Sequence, residues 1–180
     1  MNKRINNTTE PNKKIENISS AEIDSHLYKS QNMVVDFSFE GSFVSCKVGD
    51  FNNYLKDNQE FIQKFREIVR DVHNLSQKTI RYLMSESGYR HCHEATNETK
   101  ALNIVKSIFG IIEKDEKSLE QTIGGERIYQ IGLESEIRLF GTVSGNVFRV
   151  YFVDYYHDYE YNQRKNIRNK RYCNYCVINS

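Results

Sequence analysis

The chain has 180 residues, with 25 Lys and Arg against 24 Asp and Glu and a net charge of +1. That is room for one domain with a real core, and it excludes a strongly basic nucleic-acid binder by overall charge, so any polyanion site has to come from local clustering. No apolar run approaches the roughly 20 residues that span a bilayer and the N-terminus carries no apolar signal core, so the expected protein is soluble and cytoplasmic, with no membrane partner. Without an export signal, Cys46, Cys92, Cys173 and Cys176 are expected to be reduced thiols.

Residues 1–31 hold the single proline, many Asn, Lys and Ser, and isolated Ile15, Ile18 and Ile23 with no sustained period, which predicts a disordered arm. A single domain over 32–161 is expected to begin at Met33, where MVVDFSFEGSFVSCKV predicts a strand or hairpin able to add to a sheet as its edge. Asp50 is placed to cap a long helix whose apolar stripe runs from Phe51, Tyr54 and Leu55 through Phe61, Ile62, Phe65, Ile68, Val69 and Val72 to Leu75. Ser76 is expected to cap a short helix carrying Ile80, Leu83 and Met84, ended near Gly88. After a His91-Cys92-His93-Glu94 loop, Thr96 or Asn97 can cap a second amphipathic helix bearing Ala101, Ile104, Val105, Ile108 and Phe109. The charged run 113–125 reads as an exposed connection.

Three apolar runs, Ile128 to Leu133, Ile137 to Val143 and Val147 to Val153, are separated by short breaks at Glu134-Ser135-Glu136 and Ser144-Gly145-Asn146. This is the pattern of a three-stranded antiparallel meander, and the rest of the chain is organised around it. The predicted class is α+β: an antiparallel sheet, made of the N-terminal strand or hairpin and the C-terminal meander, with two or three helices on one face. Residues 162–180 form a basic C-terminal tail.

Three constellations carry chemistry. The histidines of the 91–94 loop can exchange a proton near neutral pH, or serve as plain polar loop residues. Joined by Cys173 and Cys176, His91 and His93 also make a Cys2His2 zinc set arithmetically available, although no metal or other cofactor is expected. Arg138 on the middle strand and Asp154 and His157 at the end of the third can meet if those strands pair. Arg138 would then offset phosphate charge while His157 acts as acid or base; the competing reading is a structural ion pair at the sheet rim. In the tail, Arg164, Lys165, Arg168, Lys170 and Arg171 are flanked by tyrosines, a combination suited to RNA or single-stranded nucleic acid as well as to a solvated terminus.

Taken as an ordered set, Phe37-Ser38-Phe39, Cys92-His93, Tyr129-Gln130, Arg138 to Gly141, and Phe148 to Asp154 with His157 resemble a family of small bacterial proteins carried on plasmids and prophages. Glu94 and Glu160 depart from its pattern, which has proline and tyrosine there. The element order is also similar to that of the RelE and ParE toxin superfamily. That resemblance implies an endoribonuclease toxin acting on mRNA, with the ribosome and an antitoxin as partners. His93 or His157 would then be base or acid, Arg138 the phosphate contact, and Asp154 the residue orienting a histidine. The alternative expectation is a non-catalytic interaction protein that inhibits a host or defence system.

Overall fold

A computed structural model describes residues 31–85, 91–160 and 173–178. Its elements run β1 (Val34–Asp36), β2 (Lys47–Val48), β3 (Phe51–Asn52), α1 (Asn58–Leu75), α2 (Ile80–Leu83), β4 (Cys92–Glu94), α3 (Glu98–Ile111), α4 (Glu116–Ile123), β5 (Tyr129–Gly132), β6 (Arg138–Ser144) and β7 (Val147–Asp154). One sheet has the order β1-β7-β6-β5-β4, and β2 pairs with β3 in a small second sheet. The class is the expected α+β. The meander is β5-β6-β7, all antiparallel, closed between β6 and β7 by a two-residue turn with Gly145 at φ 61°, a backbone angle that glycine adopts without strain.

β1 does join as an edge, but parallel to β7, with Val34 opposite Val147 and Asp36 opposite Arg149. The segment that follows β1 turns away and does not form a hairpin with it. Helices cover both faces of the sheet, where one was expected. On one side Ile68, Leu75, Ile80 and Leu83 from α1 and α2 pack with Leu139, Phe148, Val150 and Val153. On the other, Ala101, Ile104, Val105 and Ile108 of α3 and Leu119 and Ile123 of α4 pack with Phe140, Tyr151 and Phe152. An irregularity in β7 makes this second face aromatic. The register steps from Phe140 opposite Phe152 to Gly141 opposite Val150, so Tyr151 is an extra residue and joins Phe152 in the same cluster. Gly141 permits it, because a Cβ there would lie 1.8 Å from the Arg149 carbonyl oxygen.

The local expectations need five corrections. Asp57, not Asp50, caps α1, its Oδ1 accepting from Glu60 N at 2.9 Å. Residues 51–55 are extended, with Phe51, Asn53 and Leu55 buried in alternation. Within α1 the apolar stripe is wider than the buried surface, and Ile62, Phe65 and Val69 remain 42%, 40% and 53% exposed. Thr79 caps α2, while Ser76 ends α1; the expected stop near Gly88 lies outside the described residues. Residues 116–123 are helical, capped by Asp115 and ended by Gly124 at φ 58°, with Leu119 and Ile123 buried. Asn97 caps α3 as expected.

Almost all of the 1–31 arm lies outside the described residues. The described part of the C-terminal segment is packed against the body: Tyr175 and Leu55 exchange backbone hydrogen bonds of 2.8 and 3.0 Å, and Cys176 is buried. Among the described residues no helix is long and apolar enough to cross a membrane.

Candidate functional site

The site grows from strand register. Arg138 is the ladder partner of Asp154 on one side and of Gly132 on the other, and Gly132 N donates to His91 O at 2.9 Å. His91, Gly132, Arg138 and Asp154 therefore form one row across four strands. Two residues along is a second row on the same face: His93, Gln130, Phe140 and Phe152. The 91–94 segment is thus largely the edge strand β4, not a loop, and the sheet itself carries both histidines to the Arg138–Asp154 end.

Gly132 has a spatial purpose here. A Cβ at this position would lie 2.3 Å from His91 Cβ, 3.1 Å from His91 Cγ and 3.3 Å from Arg138 Cδ. Only a residue without a side chain lets the imidazole and the arginine stem converge over β5. Arg138 is 5% exposed, and its Nη1 donates to Ser135 O at 2.8 Å and to Ile137 O at 2.9 Å. A buried guanidinium held through Nη1 by two carbonyls keeps its full positive charge, since arginine does not deprotonate in proteins.

Asp154 is fully buried and organises the loop that follows β7. Its Oδ1 accepts from Tyr156 N at 3.1 Å and its Oδ2 from Tyr159 N at 2.8 Å. Between these anchors His157 sits at φ 58°, a left-handed conformation that non-glycine residues adopt only when their surroundings hold them there. Further fastening comes from α3. Asn97 N donates to the Tyr159 hydroxyl at 3.1 Å, that hydroxyl donates to Asn97 O, and Lys100 Nζ donates to Tyr159 O at 2.9 Å. The Tyr159 ring lies 4.5 Å from that of Phe140, and burial pushes its phenol up to about 12.

His93 and His157 meet at one carboxylate. Glu160 Oε1 is 3.8 Å from His93 Nε2, and Glu160 Oε2 is 3.5 Å from His157 Nε2. Both separations exceed hydrogen-bond length, so these are charge contacts only when the ring is protonated. His93 Nδ1 lies 2.8 Å from Glu94 O, which can only accept, so Nδ1 carries the ring proton. In the neutral ring Nε2 accepts from the amide of buried Gln130 at 3.2 Å, with Gln130 Oε1 buried and without a hydrogen-bond partner. Nearby, Arg127 Nη1 spans both Glu94 oxygens at 2.6 and 2.8 Å.

All four residues expected to carry catalysis, His93, Arg138, Asp154 and His157, therefore belong to one end of the sheet. The hydrogen bonds from Tyr156 N and Tyr159 N to Asp154 hold the His157 loop through its backbone, so Asp154 acts on that histidine by way of the turn. Glu160, Gln130 and His91 complete the arrangement. Glu160 was visible in the sequence only as a departure from a pattern, and nothing in the sequence showed that it stands between two imidazoles. The Cys2His2 set is not assembled: Cys173 lies 3.8 Å from the Tyr156 hydroxyl and Cys176 accepts from Ser45 N at 3.2 Å. Among the described residues no group of three or more His, Cys, Asp or Glu is arranged to hold a metal ion. Arg164, Lys165, Arg168, Lys170 and Arg171 lie outside the described residues.

Every residue of this arrangement falls within residues 38–180, the span that matches a family model described as "Uncharacterised protein UU032". The chain is also similar to "Uncharacterized protein UU032" of Ureaplasma parvum serovar 3, with 21% identity over 182 residues that cover 99% of this chain and 95% of that one. No solved structure matches the chain.

Proposed function

We propose that this chain, which belongs to the family described as "Uncharacterised protein UU032", is an endoribonuclease that cleaves RNA by acid–base chemistry and acts as a toxin restrained by an antitoxin. The observation that carries this reading is the placement of His93 and His157 on either side of Glu160, at the end of the sheet where Arg138 crosses Gly132. Two imidazoles at one site suit a reaction that needs one proton removed and one supplied near neutral pH. One imidazole takes the 2′-hydroxyl proton, the freed oxygen attacks the adjacent phosphorus, and the P–O5′ bond breaks. The other imidazole protonates the departing 5′-oxygen. Arg138 adds fixed positive charge close to the developing negative charge.

The test uses purified protein and an RNA oligonucleotide, with a matched oligonucleotide carrying a 2′-deoxy sugar at the cleaved position. Cleavage of the first and not the second is expected, and His93→Ala and His157→Ala should each slow it about 10²- to 10⁴-fold with thermal midpoints unchanged. Growth arrest on expression in bacteria, abolished in the same variants, is the cellular counterpart. Intact RNA together with harmless expression would sink the reading.

A second reading rests on α1, where Ile62, Phe65 and Val69 leave an apolar stripe at the surface. Such a stripe suits an interaction protein that inhibits a host or defence factor through contact alone. Wild-type activity on a partner that survives both histidine substitutions and disappears in Phe65→Ser favours it.

A further inference from the structure

We infer that the two imidazoles form a binding site for a phosphate group, and that the chain's own Glu160 occupies it as a displaceable plug. The inference rests on the ribonuclease reading only for the identity of the natural ligand, a nucleic-acid phosphate. Glu160 sets one carboxylate oxygen towards each ring, 3.8 Å from His93 Nε2 and 3.5 Å from His157 Nε2. Those two oxygens stand where two oxygens of a bridging phosphate would stand. They are held loosely, because neither distance reaches the 2.7–3.2 Å range of a hydrogen bond. The side chains are partly exposed, at 37% for His93, 25% for His157 and 22% for Glu160, while His157 Nε2 itself is enclosed, so a ligand reaches it only once the Glu160 side chain has moved.

The surroundings favour an anion once the carboxylate leaves. Arg138 supplies a buried positive charge on the same face, and the Glu94 carboxylate beside His93 is already paired with Arg127. Asp154, the nearest buried carboxylate in the row, is turned to the backbone of Tyr156 and Tyr159. A phosphate, whose tetrahedral oxygens can approach both rings to hydrogen-bond distance where the tethered Glu160 does not, replaces two loose contacts with two charge-assisted hydrogen bonds. The glutamate thus keeps weakly bound anions out and yields to a ligand that offers further contacts, which makes it a selectivity element as well as a plug.

The experiment titrates inorganic phosphate at pH 5.5, below the ordinary imidazole value of about 6.5, and follows the imidazole signals of the full chain by NMR. Glu160→Gln and Glu160→Ala should each bind phosphate about tenfold more tightly than wild type, since a like charge within about 4 Å is removed. Both should shift the signals of His93 and His157. Glu120→Gln, the same charge change on the exposed side of α4, should match wild type. Glu160 variants that bind no better than Glu120→Gln, or binding that leaves His93 and His157 unmoved, would overturn the inference. Phosphate binding without RNA cleavage leaves it standing and removes the ribonuclease reading; cleavage with wild-type phosphate affinity in both Glu160 variants does the reverse.

Discussion

Two arginines on adjacent strands of one hairpin, Arg138 on β6 and Arg149 on β7, live under opposite conditions. Arg149 is half exposed and pairs through Nε with Asp36 at 2.9 Å, an edge contact between β7 and β1. Arg138 is buried, faces Asp154 in the ladder and gives its protons to backbone carbonyls. The first arrangement is a surface ion pair, worth little because water competes for both partners. The second removes a full charge from water and persists only because neighbouring groups compensate it. A charge placed there at such cost is what the proposed role of Arg138 asks for, whereas Arg149 serves the sheet edge.

The sharpest way to break this contrast is Arg138→Ala. It strips a donor from Ser135 O and Ile137 O and leaves Asp154 without the cation opposite it, so a loss of about 3–5 kcal/mol is expected in denaturant titration. Asp154→Asn comes next. An amide keeps one acceptor and sets its NH2 against either Tyr156 N or Tyr159 N, donor to donor, at a cost of about 2–3 kcal/mol. The same variant should free the turn at His157, visible as faster amide exchange across 155–160. Gly132→Ala should cost about 1–2 kcal/mol, because His91 and Arg138 must move apart, and its effect on RNA cleavage should exceed its effect on stability.

Arg149→Ala is the small end of the series, at under about 1 kcal/mol. Hydrogen bonds from Ser38 and the guanidinium of Arg149 hold the Asp36 carboxyl below its ordinary value. A carboxyl lowered in the folded state stabilises it above the unfolded value and stops doing so as pH falls through the folded value. The difference in thermal midpoint between wild type and Asp36→Asn should therefore be complete above about pH 4 and shrink below it. A gap that stays constant down to pH 2 would show that Asp36 contributes no charge-dependent stability.

What could be read from the sequence follows from which residues are apolar. β5, β6 and β7 are long, buried runs bounded by turn residues, and all three were legible with their turns. The extended 51–55 segment was not, because one of its buried positions is Asn53. That side chain accepts from Cys46 N at 2.7 Å and donates to Val44 O and Val153 O, so a polar residue does the work of a core residue and hides the period of two. Among its described side chains α4 buries Leu119 and Ile123 alone, too few to stand out in a charged run. β4 is three residues long, below the length at which alternation can be seen. The Arg138–Asp154 pairing was legible because it depends on strand register alone, whereas Glu160 depends on how a loop turns back.

The parallel partnership of β1 with β7 also sets an order of events during synthesis. Asp36 and Arg149 are 113 residues apart, and at about 5–20 residues per second a ribosome needs on the order of ten seconds to make that interval. Until then β1 has no ladder to join, while the meander closes locally within moments of its own emergence. The first strand made is thus the last to be placed, and for that time β1 itself stands unpaired, an extended segment open to any other chain that offers a sheet edge.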